Sequence, residues 1–230
     1  IEKDLTAIVP SVATTVGEFV GAFERGPVEQ VLTVDTEATL VERFGKPNQT
    51  TYESFFTAAN FLAYGNNLQV IRVVGSTARN AIANASATAI MIKNEDHYEN
   101  QYSDSSANVG EFAAKFPGVL GNSLLVSMAD ANVFGAWGYK DLFDNAPNTS
   151  DYVEGLGGSD DEMHLIIIDS TGVWTGTPNT VLEKHAYLSK ASDAKNSDGS
   201  SAYYKDVINN KSKYIWWMDH PEGMTNWGNT

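Results

Sequence analysis

The sequence contains no cysteine. This absence excludes disulfide bonds, thiolate nucleophiles and zinc sites built on cysteine. It also excludes a small secreted domain that is held together by disulfides. The cellular compartment stays open, because a chain of 230 residues with 42% hydrophobic residues can build a core without such bonds.

Positive charge and long apolar runs are also scarce. The chain has 15 Lys and Arg against 29 Asp and Glu, a net charge of −14 at pH 7. Surfaces that bind nucleic acid or anionic membranes need clustered Lys and Arg, so we expect neither partner. The apolar run from Leu165 to Ile168 has the length of a strand, and no run is long enough to span a bilayer.

Motifs of the common catalytic and phosphate-binding sites are missing. Gly121-Asn-Ser123 begins a nucleophile elbow, but Leu125 stands where the second glycine is needed. Gly45-Lys46 is followed by Pro47 instead of Ser or Thr, which excludes a phosphate loop. We therefore expect no enzyme activity and no cofactor.

Ionisable side chains form no diagnostic cluster in the sequence. His185 lies with Glu183 on one strand face, so a ligand pair is conceivable, although solvated or core-edge histidines are far more common. The calcium-like loop after Asp193 has Ala194 at its first ligand position, and the run 160–162 is typical of a solvated charged segment. The other histidines, which are far apart in the sequence, are His97, His164 and His220. We therefore expect no metal site.

The adjacent pair Trp216-Trp217 is the one aromatic feature that could form a sugar-stacking platform. Neighbouring residues of a strand point to opposite faces. We therefore expect one of these indoles in the core and the other outside or at an interface.

The first third of the chain predicts a small mixed sheet with helices packed on it. The order is strand, strand, helix, helix, strand. We expect strands at 15–23, 29–34 and 68–74, and a turn at 24–27. The first helix is expected to be capped by Asp35 and to end at Gly45. The second helix is expected to have a Thr50–Glu53 capping box, a left-handed Gly65 at its end and an apolar stripe formed by Tyr52, Phe55, Phe56, Ala59, Leu62 and Ala63.

A small, polar stretch at 75–88 predicts a boundary, after which a second set of elements begins. We expect strands at 89–92, 124–128 and 163–169, a turn at 170–172, a half-buried strand at 180–189 and a last strand at 213–219. Between them we expect an irregular or helical stretch at 112–121, a surface insertion at 131–161, a loop at 193–201 and a short helix at 203–209.

Four segments resemble the contractile tail sheath proteins of bacteriophages, in the branch with large multidomain subunits. They are GEFVGAFERGPVEQVLTVDTEATLVERFGKP (17–47), FFTAANFLAYGNNLQVIRVV (55–74), KFPGVLGNSLLVS (115–127) and the segment 175–217. Each motif alone is loose, but their order and spacing together are specific, and they cover about residues 13–218. Sheath subunits carry further segments at both ends, so we expect that both termini of this sequence are truncated.

The resemblance implies an α+β fold: a mixed α/β sheet domain in the first part, with an inserted outer α+β domain. It implies an N-terminal arm remnant at 1–12, the first part of the conserved sheet domain at 13–78 and the inserted surface domain at 79–230. It also implies an inter-subunit arm that adds a strand to a neighbour's sheet. The candidate arm residues are Ile1, Glu2, Lys3, Asp4, Leu5, Thr6, Ala7, Ile8 and Val9.

The function that the resemblance implies is structural. Sheath subunits form hexameric rings in a helical array around the tail tube, and contraction drives the tube through the host envelope. The implied partners are other sheath subunits, with the tube and baseplate contacted through parts outside this chain. The implied location is the virion tail, after assembly in the host cytoplasm.

Two alternatives stay open, a carboxylate-based hydrolase and a glycan-binding surface module. The hydrolase predicts a pair of acidic residues in a cleft with a raised pKa. The glycan-binding module predicts an exposed aromatic shelf. The sheath subunit predicts instead an incomplete sheet edge near residues 15–34 and 68–74, and an arm that does not fold back.

Overall fold

The computed structural model describes residues 16–84, 86–103 and 109–220. It divides the chain into two compact units, one ending at Val74 and one beginning at Gly75. Helices and sheets occur in both units, so the predicted α+β class is confirmed. The predicted domain borders at 12/13 and 78/79, and the assignment of the second part as an insertion, stay predictions. The candidate arm, Ile1–Val9, lies outside the described residues.

The first unit has the predicted order of elements. It contains β1 (Gly17–Gly21), β2 (Val31–Val34), α1 (Glu37–Phe44), α2 (Tyr52–Leu62) and β3 (Leu68–Arg72). The strands form one sheet in the order β1-β3-β2, with β1 parallel and β2 antiparallel to β3. The first two strands therefore do not pair with each other. Both pair with β3, which is the last strand of the unit in sequence.

One face of this sheet is covered by the two helices. Val34, Leu68 and Val70 from the strands are buried against Leu40, Phe44 and Phe55 from the helices, and each of these six side chains is at most 2% exposed. Burying this apolar surface is the main stabilising contribution to the unit. The opposite face carries β1 and β2 side chains that stay exposed.

The starts of both helices differ from the prediction by one residue. The cap of α1 is Thr36, whose hydroxyl accepts a hydrogen bond from the Thr39 amide (3.2 Å). Asp35 instead accepts hydrogen bonds from the hydroxyls of Thr39 and Thr36, and the Thr39 bond contributes most to lowering the pKa of Asp35. Either residue has a side chain that can cap a helix, so the sequence alone did not separate them.

The second helix has no capping box. It begins after Thr51, whose side chain makes no capping hydrogen bond, while the Asn48 side chain accepts from the Thr50 and Thr51 amides. The helix ends at Ala63 with right-handed backbone, and Gly65 has no left-handed φ. The predictions for Thr50 and Gly65 are therefore wrong.

Arg72 ties the turn after β1 to the central strand. Its guanidinium is buried and donates to the carbonyl oxygens of Phe23 (3.0 Å), Gly26 (2.8 Å) and Glu24 (3.3 Å). Gly26 has φ +103, a conformation that favours glycine. Burial lowers the pKa of Arg72 to about 10, so this group stays charged at neutral pH.

The second unit contains two sheets. Its elements are α3 (Glu95–Gln101), β4 (Phe112–Ala114), a 3₁₀ helix (Val119–Ser123), β5 (Leu124–Asp130), α4 (Ala131–Phe134), a 3₁₀ helix (Lys140–Leu142), α5 (Asp151–Gly155), β6 (Glu162–Asp169), β7 (Thr180–Ser189), α6 (Tyr204–Lys211) and β8 (Ile215–Trp217). β5, β6 and β7 form an antiparallel sheet in that order, and β4 pairs antiparallel with β8. The uninterrupted apolar run in β6 is explained by its central position and burial on both faces.

The predicted strand at 89–92 is absent, and its backbone is instead held by the side chain of Asn80. This amide accepts from Ile92 N (2.7 Å) and donates to Ile92 O (3.3 Å) and Ala114 O (2.8 Å). A buried side chain therefore satisfies the backbone groups that a neighbouring strand would otherwise satisfy. Two further elements were not predicted as such: α3 lies within the polar stretch after Lys93, and β4 replaces the expected irregular start of 112–121.

Trp216 and Trp217 are both buried, at 1% and 0% exposure, so the prediction of one outer indole is wrong. Their side chains do belong to opposite faces of β8. Trp216 packs with Ile92, Tyr98 and Val109, whereas Trp217 packs in the core that also holds Met163, Leu165 and Tyr204. The strand lies between two cores, and this position covers both faces.

Asp169 organises the connection from β6 to β7. The carboxylate is buried and accepts from the Ser123 hydroxyl (2.6 Å), the amides of Gly172, Trp174 and Thr175, and the Thr175 hydroxyl. Burial alone would raise the pKa of Asp169, but these hydrogen bonds outweigh it, and the pKa lies below its usual value of 3.8. A charged carboxylate is thus the form that the turn requires.

We expect Asp169→Asn to lower the free energy of unfolding by about 2–3 kcal/mol at neutral pH, because an amide nitrogen must face backbone N–H donors. The folded pKa is lowered, so this contribution is present above the unfolded value near 3.8 and is lost as pH falls through the folded value. Urea titrations should show a smaller difference from wild type in acid. An equal difference at about pH 7 and about pH 2.5 would contradict this account. Asp144→Asn, at an exposed carboxylate, is the matched control.

Candidate assembly surface

The outer edge of β1 presents backbone groups that its own sheet does not use. The Gly17 amide donates to Asn67 O (2.9 Å), and Gly21 O accepts from the Val73 amide (3.0 Å). In a parallel pair, alternate residues direct both backbone groups to the same neighbour. Since Gly17 and Gly21 face β3, the amides and carbonyls of Glu18 and Val20 point outward.

β2 forms the opposite edge of the same sheet. The partner strand β3 directs the backbone groups of Leu68 and Val70 toward β2, because the backbone groups of its alternate residues bond to β1. Leu32 and Val34 therefore bond to β3, and the backbone groups of Val31 and Thr33 point outward. Within the described residues both edges of this sheet are open to a further strand.

The uncovered face of the sheet carries an apolar row next to a polar one. Val20 and Val31 lie opposite Ile71 in the strand register and are 59% and 53% exposed. The next row toward the start of β1 is Glu18, Gln69 and Thr33. A strand that adds to either edge would extend both rows, so side chains could select the register while the backbone supplies hydrogen bonds.

The glycine in the first position of β1 permits close approach of a helix. A Cβ at Gly17 would lie 2.5 Å from the Phe61 ring of α2. Such a distance is well inside van der Waals contact, so a side chain here would displace the helix. β1 is thus fixed by α2 on one face and by β3 on one edge, which leaves its other edge for a partner.

The sequence located these edges in part. The stretch 15–34 does contain both outer strands, β1 and β2. The stretch 68–74 does not form an edge, because β3 is the central strand. The proposed use of the arm Ile1–Val9 stays a prediction, since these residues lie outside the described part of the chain.

The histidines make local contacts and no described metal cluster. His185 Nε2 lies 3.1 Å from Glu183 Oε2, on the strand face where the sequence placed both. His164 is fully buried and bonds to the Asn145 carbonyl instead. Among the described residues there is no group of three or more His, Asp or Glu side chains that could hold a metal ion. No described helix is long and apolar enough to cross a membrane.

Two residues of the acidic run 160–162 form hydrogen bonds between a preceding loop and the start of β6. Asp161 is buried and accepts from the amide (2.7 Å) and hydroxyl (2.8 Å) of Ser150, and Glu162 accepts from the Asn148 amide (3.0 Å). Burial raises the pKa of Glu162, with the neighbouring Asp161 contributing. The carboxyl group with the raised pKa, that of Glu162, is hydrogen-bonded to the backbone. It therefore does not form the pair of general acid and general base that hydrolysis needs.

One side of α2 carries exposed aromatic rings. Tyr52 and Phe56 are four residues apart and about half exposed, and Tyr64, beyond the helix end, is 96% exposed. The sequence placed Tyr52 and Phe56 on the apolar stripe, and this is wrong for both. The buried side of α2 is formed by Phe55 and Ala58, with Phe61 and Leu62 partly buried.

The comparisons with known proteins match most of the first unit to a family model. Residues 13–73 match the family model described as "Tail sheath protein Gp18 domain III N-terminal region". The tail sheath protein of Salmonella phage ViI is 32% identical over 181 residues, which is 78% of this chain and 26% of that protein. The chain is related to phage tail sheath proteins. The resemblance predicted from the sequence is confirmed.

Two further tail sheath proteins match a shorter part of the chain. Over 81 residues the chain is 43% identical to the tail sheath protein of Vibrio phage KVP40 and 38% identical to that of Enterobacteria phage T4, in each case 35% of this chain and 12% of the relative. The chain thus matches about a quarter or less of the length of these relatives. A sheath tail protein from Listeria innocua, Lin1278, aligns over 89% of this chain and 30% of its own, with TM-score 0.42 and 11% identity.

The part that matches the tail sheath family model includes the whole described sheet of the first unit. Residues 13–73 contain β1, β2 and β3 together with both helices. The open edges are therefore features of the family-matched segment and not of the second unit.

Proposed function

We propose that this chain is part of a structural, non-enzymatic subunit of a contractile phage tail sheath. The observation that carries the proposal is the family-matched sheet, whose three strands leave two edges open within the described part of the chain. A monomeric protein normally shields such edges, because they invite pairing with other chains. In a polymer the same edges would link neighbouring subunits.

The linkage that the geometry supports is strand addition. An arm from a neighbouring subunit, with Ile1–Val9 as its candidate, would lie along β1 or β2 and bond to the outward groups of Glu18 and Val20 or of Val31 and Thr33. Each backbone hydrogen bond contributes about 0.5–1.5 kcal/mol net. One short strand pair is weak alone, but many repeated pairs along a helical array sum to a stable polymer.

The array that this linkage would build consists of hexameric rings stacked around a tail tube. Its contraction would be a change between two packings of nearly rigid subunits, triggered from the baseplate, which drives the tube through the host envelope for genome delivery. Tube and baseplate would be contacted through parts outside this chain. The polymer would belong to the virion tail and would assemble in the host cytoplasm.

Negative-stain electron microscopy of the protein in its natural full length, expressed without partners, tests the proposal. We expect tubes with a helical repeat. Monodisperse single particles over a wide range of concentration and salt would contradict assembly by the subunit alone, and then the glycan-binding alternative would take its place.

The edge prediction is tested by Thr33→Pro, which removes an outward amide that β3 does not use. Proline is tolerated on edge strands, so we expect the fold to survive while strand addition at β2 is lost. Tubes should then be absent, or need at least about tenfold more protein, since one lost hydrogen bond per contact is about 1.4 kcal/mol. Thr33→Ala keeps the amide and is the matched control.

Glu18→Pro is the equivalent change at the β1 edge. If the arm adds to β2, only Thr33→Pro should abolish tubes, and if it adds to β1, only Glu18→Pro should. Normal tubes from both variants, with circular dichroism unchanged, would show that neither edge is used.

The exposed aromatic side of α2 favours glycan binding as a second candidate function. Tyr52 and Phe56 present rings at neighbouring positions of one helix face, which is an arrangement that sugars can stack on. The pair Trp216-Trp217 no longer supports that reading, since both indoles are buried. Binding of soluble glycans that is lost in Phe56→Ala, with tube formation unaffected, would establish this second function.

A further inference from the structure

His164 connects β6 to a surface segment that we name the strap, residues 131–147. The imidazole is fully buried, and its plane stacks on the Phe143 ring at 4.2 Å between centroids and 9° between planes. Phe134, also in the strap, meets the imidazole edge-on at 5.6 Å. Tyr187 on β7 meets it from another side at 4.7 Å.

Both ring nitrogens have partners that fix one neutral tautomer. Nε2 lies 2.9 Å from the Asn145 carbonyl oxygen, which can only accept, so Nε2 carries the hydrogen. Nδ1 lies 3.0 Å from the Tyr187 backbone amide, which can only donate, so Nδ1 offers its lone pair. A protonated imidazole cannot accept at Nδ1, and its new N–H would point at the Tyr187 N–H.

The charged groups around the ring do not favour its protonation. Burial lowers the pKa of His164 below its usual 6.5, and the positive charge of Lys184 on β7 lowers it further. On β5, Asp130 is engaged by Lys190 at 3.3 Å, and in the strap Lys140 donates to the Gly135 carbonyl. On β6, Glu162 lies two residues before His164 and accepts from the Asn148 amide (3.0 Å). The acidic residues of the strap are Asp141 and Asp144, and both are exposed.

The strap has further attachments to the sheet, one of which is the Asp130 carboxylate on β5, which accepts from the Asn132 and Val133 amides (3.1 and 3.3 Å). The Trp137 indole N–H donates to the Ser127 hydroxyl (2.8 Å), and the Lys184 ammonium donates to the Leu142 carbonyl (2.7 Å). The Phe143 and Trp137 rings pack on each other at 5.5 Å, so the ring that stacks on His164 also supports the indole. Loss of the His164 contacts would therefore weaken the attachment of most of the strap.

We propose that the strap is a pH-sensitive element, which neutral His164 holds against the sheet and which acid releases while the rest of the unit stays folded. Release would expose the aromatic side chains of Phe134, Trp137 and Phe143. The strap is thus a conditional apolar surface, partly buried at neutral pH and fully presented in acid. This proposal does not depend on the proposed sheath function.

The sign of the effect follows from the lowered pKa. A histidine that is neutral in the attached state and free to protonate in the released state favours release as pH falls below about 6.5. In the pH range where the imidazole is protonated in the released state but not in the attached state, the equilibrium constant for attachment of the strap falls about tenfold per pH unit. The amides of the strap should lose protection by that factor.

Hydrogen exchange of the 230-residue chain, corrected for the intrinsic pH dependence of exchange, tests this at about pH 7.5 and about pH 5. We expect protection of residues 131–147 and of the Tyr187 amide to fall between these two pH values, with β6 and α6 unchanged. Constant protection of the strap would overturn the proposal, and so would a parallel loss across β6 and α6.

Two variants locate the titrating group. In His164→Gln the strap should show the same protection at both pH values, because the group that titrates is gone. His185→Gln, on the neighbouring strand, should retain the full pH effect. A pH effect that persists in His164→Gln would overturn the proposal.

A measurement on the wild-type chain makes the test independent of how well that variant folds. Imidazole ¹⁵N shifts at neutral pH should identify the Nε2–H tautomer of His164, with a pKa below 6.5. An Nδ1–H tautomer, or an ordinary pKa, would equally overturn the proposal.

Discussion

Arg72→Met is expected to destabilise the first unit by about 3 kcal/mol, because three carbonyls lose their donor and each unsatisfied buried acceptor costs about 1–3 kcal/mol. The carbonyls belong to Phe23, Glu24 and Gly26, and the cation of the turn itself, Arg25, donates to the carbonyls of Val41 and Glu42 in α1 instead. Methionine fills similar apolar space, so the loss reports the hydrogen bonds and not a cavity. The turn should loosen first, and β1 with it.

The position of the tryptophans makes this prediction easy to measure. All five tryptophans follow Gly75 in the sequence, so tryptophan fluorescence reports the second unit alone. We expect hydrogen exchange of β1 and β3 to accelerate in Arg72→Met, while the urea midpoint by fluorescence is unchanged. Arg43→Met, at an exposed arginine in the same unit, should cost less than about 0.5 kcal/mol.

A loss of protection in Arg72→Met no greater than in Arg43→Met would contradict the role of the guanidinium. Arg72→Lys distinguishes charge from geometry, since one ammonium cannot span three carbonyls as a planar guanidinium does. We expect it to recover only part of the loss.

Local patterns predicted the elements whose causes lie nearby in sequence. The helix carrying Leu40 and Phe44, the apolar run of β6 and the strand that ends at Arg72 all follow from the local pattern of apolar side chains. Features decided by distant partners were missed. The predicted strand at 89–92 looks apolar enough, but its backbone is bonded by the side chain of Asn80, and no local pattern reveals that.

Strand order is also a non-local property, and it decides where the candidate assembly surface lies. The tight turn at 24–27 places β1 and β2 close in sequence, yet β3 inserts between them. The sequence therefore indicated the right outer strands but also predicted an edge at 68–74, the strand that is in fact central. The fact that β1 and β2 follow each other in the sequence does not show which of the three strands has a neighbouring strand on both sides.

Trp216→Ala is expected to lower the free energy of unfolding of the second unit by about 3–5 kcal/mol, the usual range for a fully buried tryptophan. The indole stacks on Tyr98 at 4.0 Å and 3°, and the Lys115 ammonium lies 3.3 Å from the indole ring centroid. Its N–H donates to the Lys115 carbonyl (3.0 Å). Removing it therefore opens a cavity between α3 and β8 and takes the aromatic partner from a largely buried cation.

The loss of that aromatic partner adds a second consequence. Burial lowers the pKa of Lys115 to about 8, and the negative charges of Glu95, Glu183 and Glu99 oppose that shift. The Lys115 ammonium also donates to the Asn209 carbonyl (2.8 Å), which stays in place in the variant. Removing the indole uncovers the ammonium, so we expect the pKa of Lys115 to rise toward its usual 10.5 in Trp216→Ala, while Trp216→Phe should keep most of the burial.

Urea titration followed by far-ultraviolet circular dichroism checks the stability change, because the variant lacks one of the fluorescent reporters. Trp216→Phe keeps a ring against Tyr98 but loses the N–H, so its cost should be smaller, about 1–2 kcal/mol. If Trp216→Ala costs no more than Trp216→Phe, the stack on Tyr98 is not a main support of this core. Because Trp216 and Trp217 fill the cores on the two faces of β8, neither indole is available as an external platform.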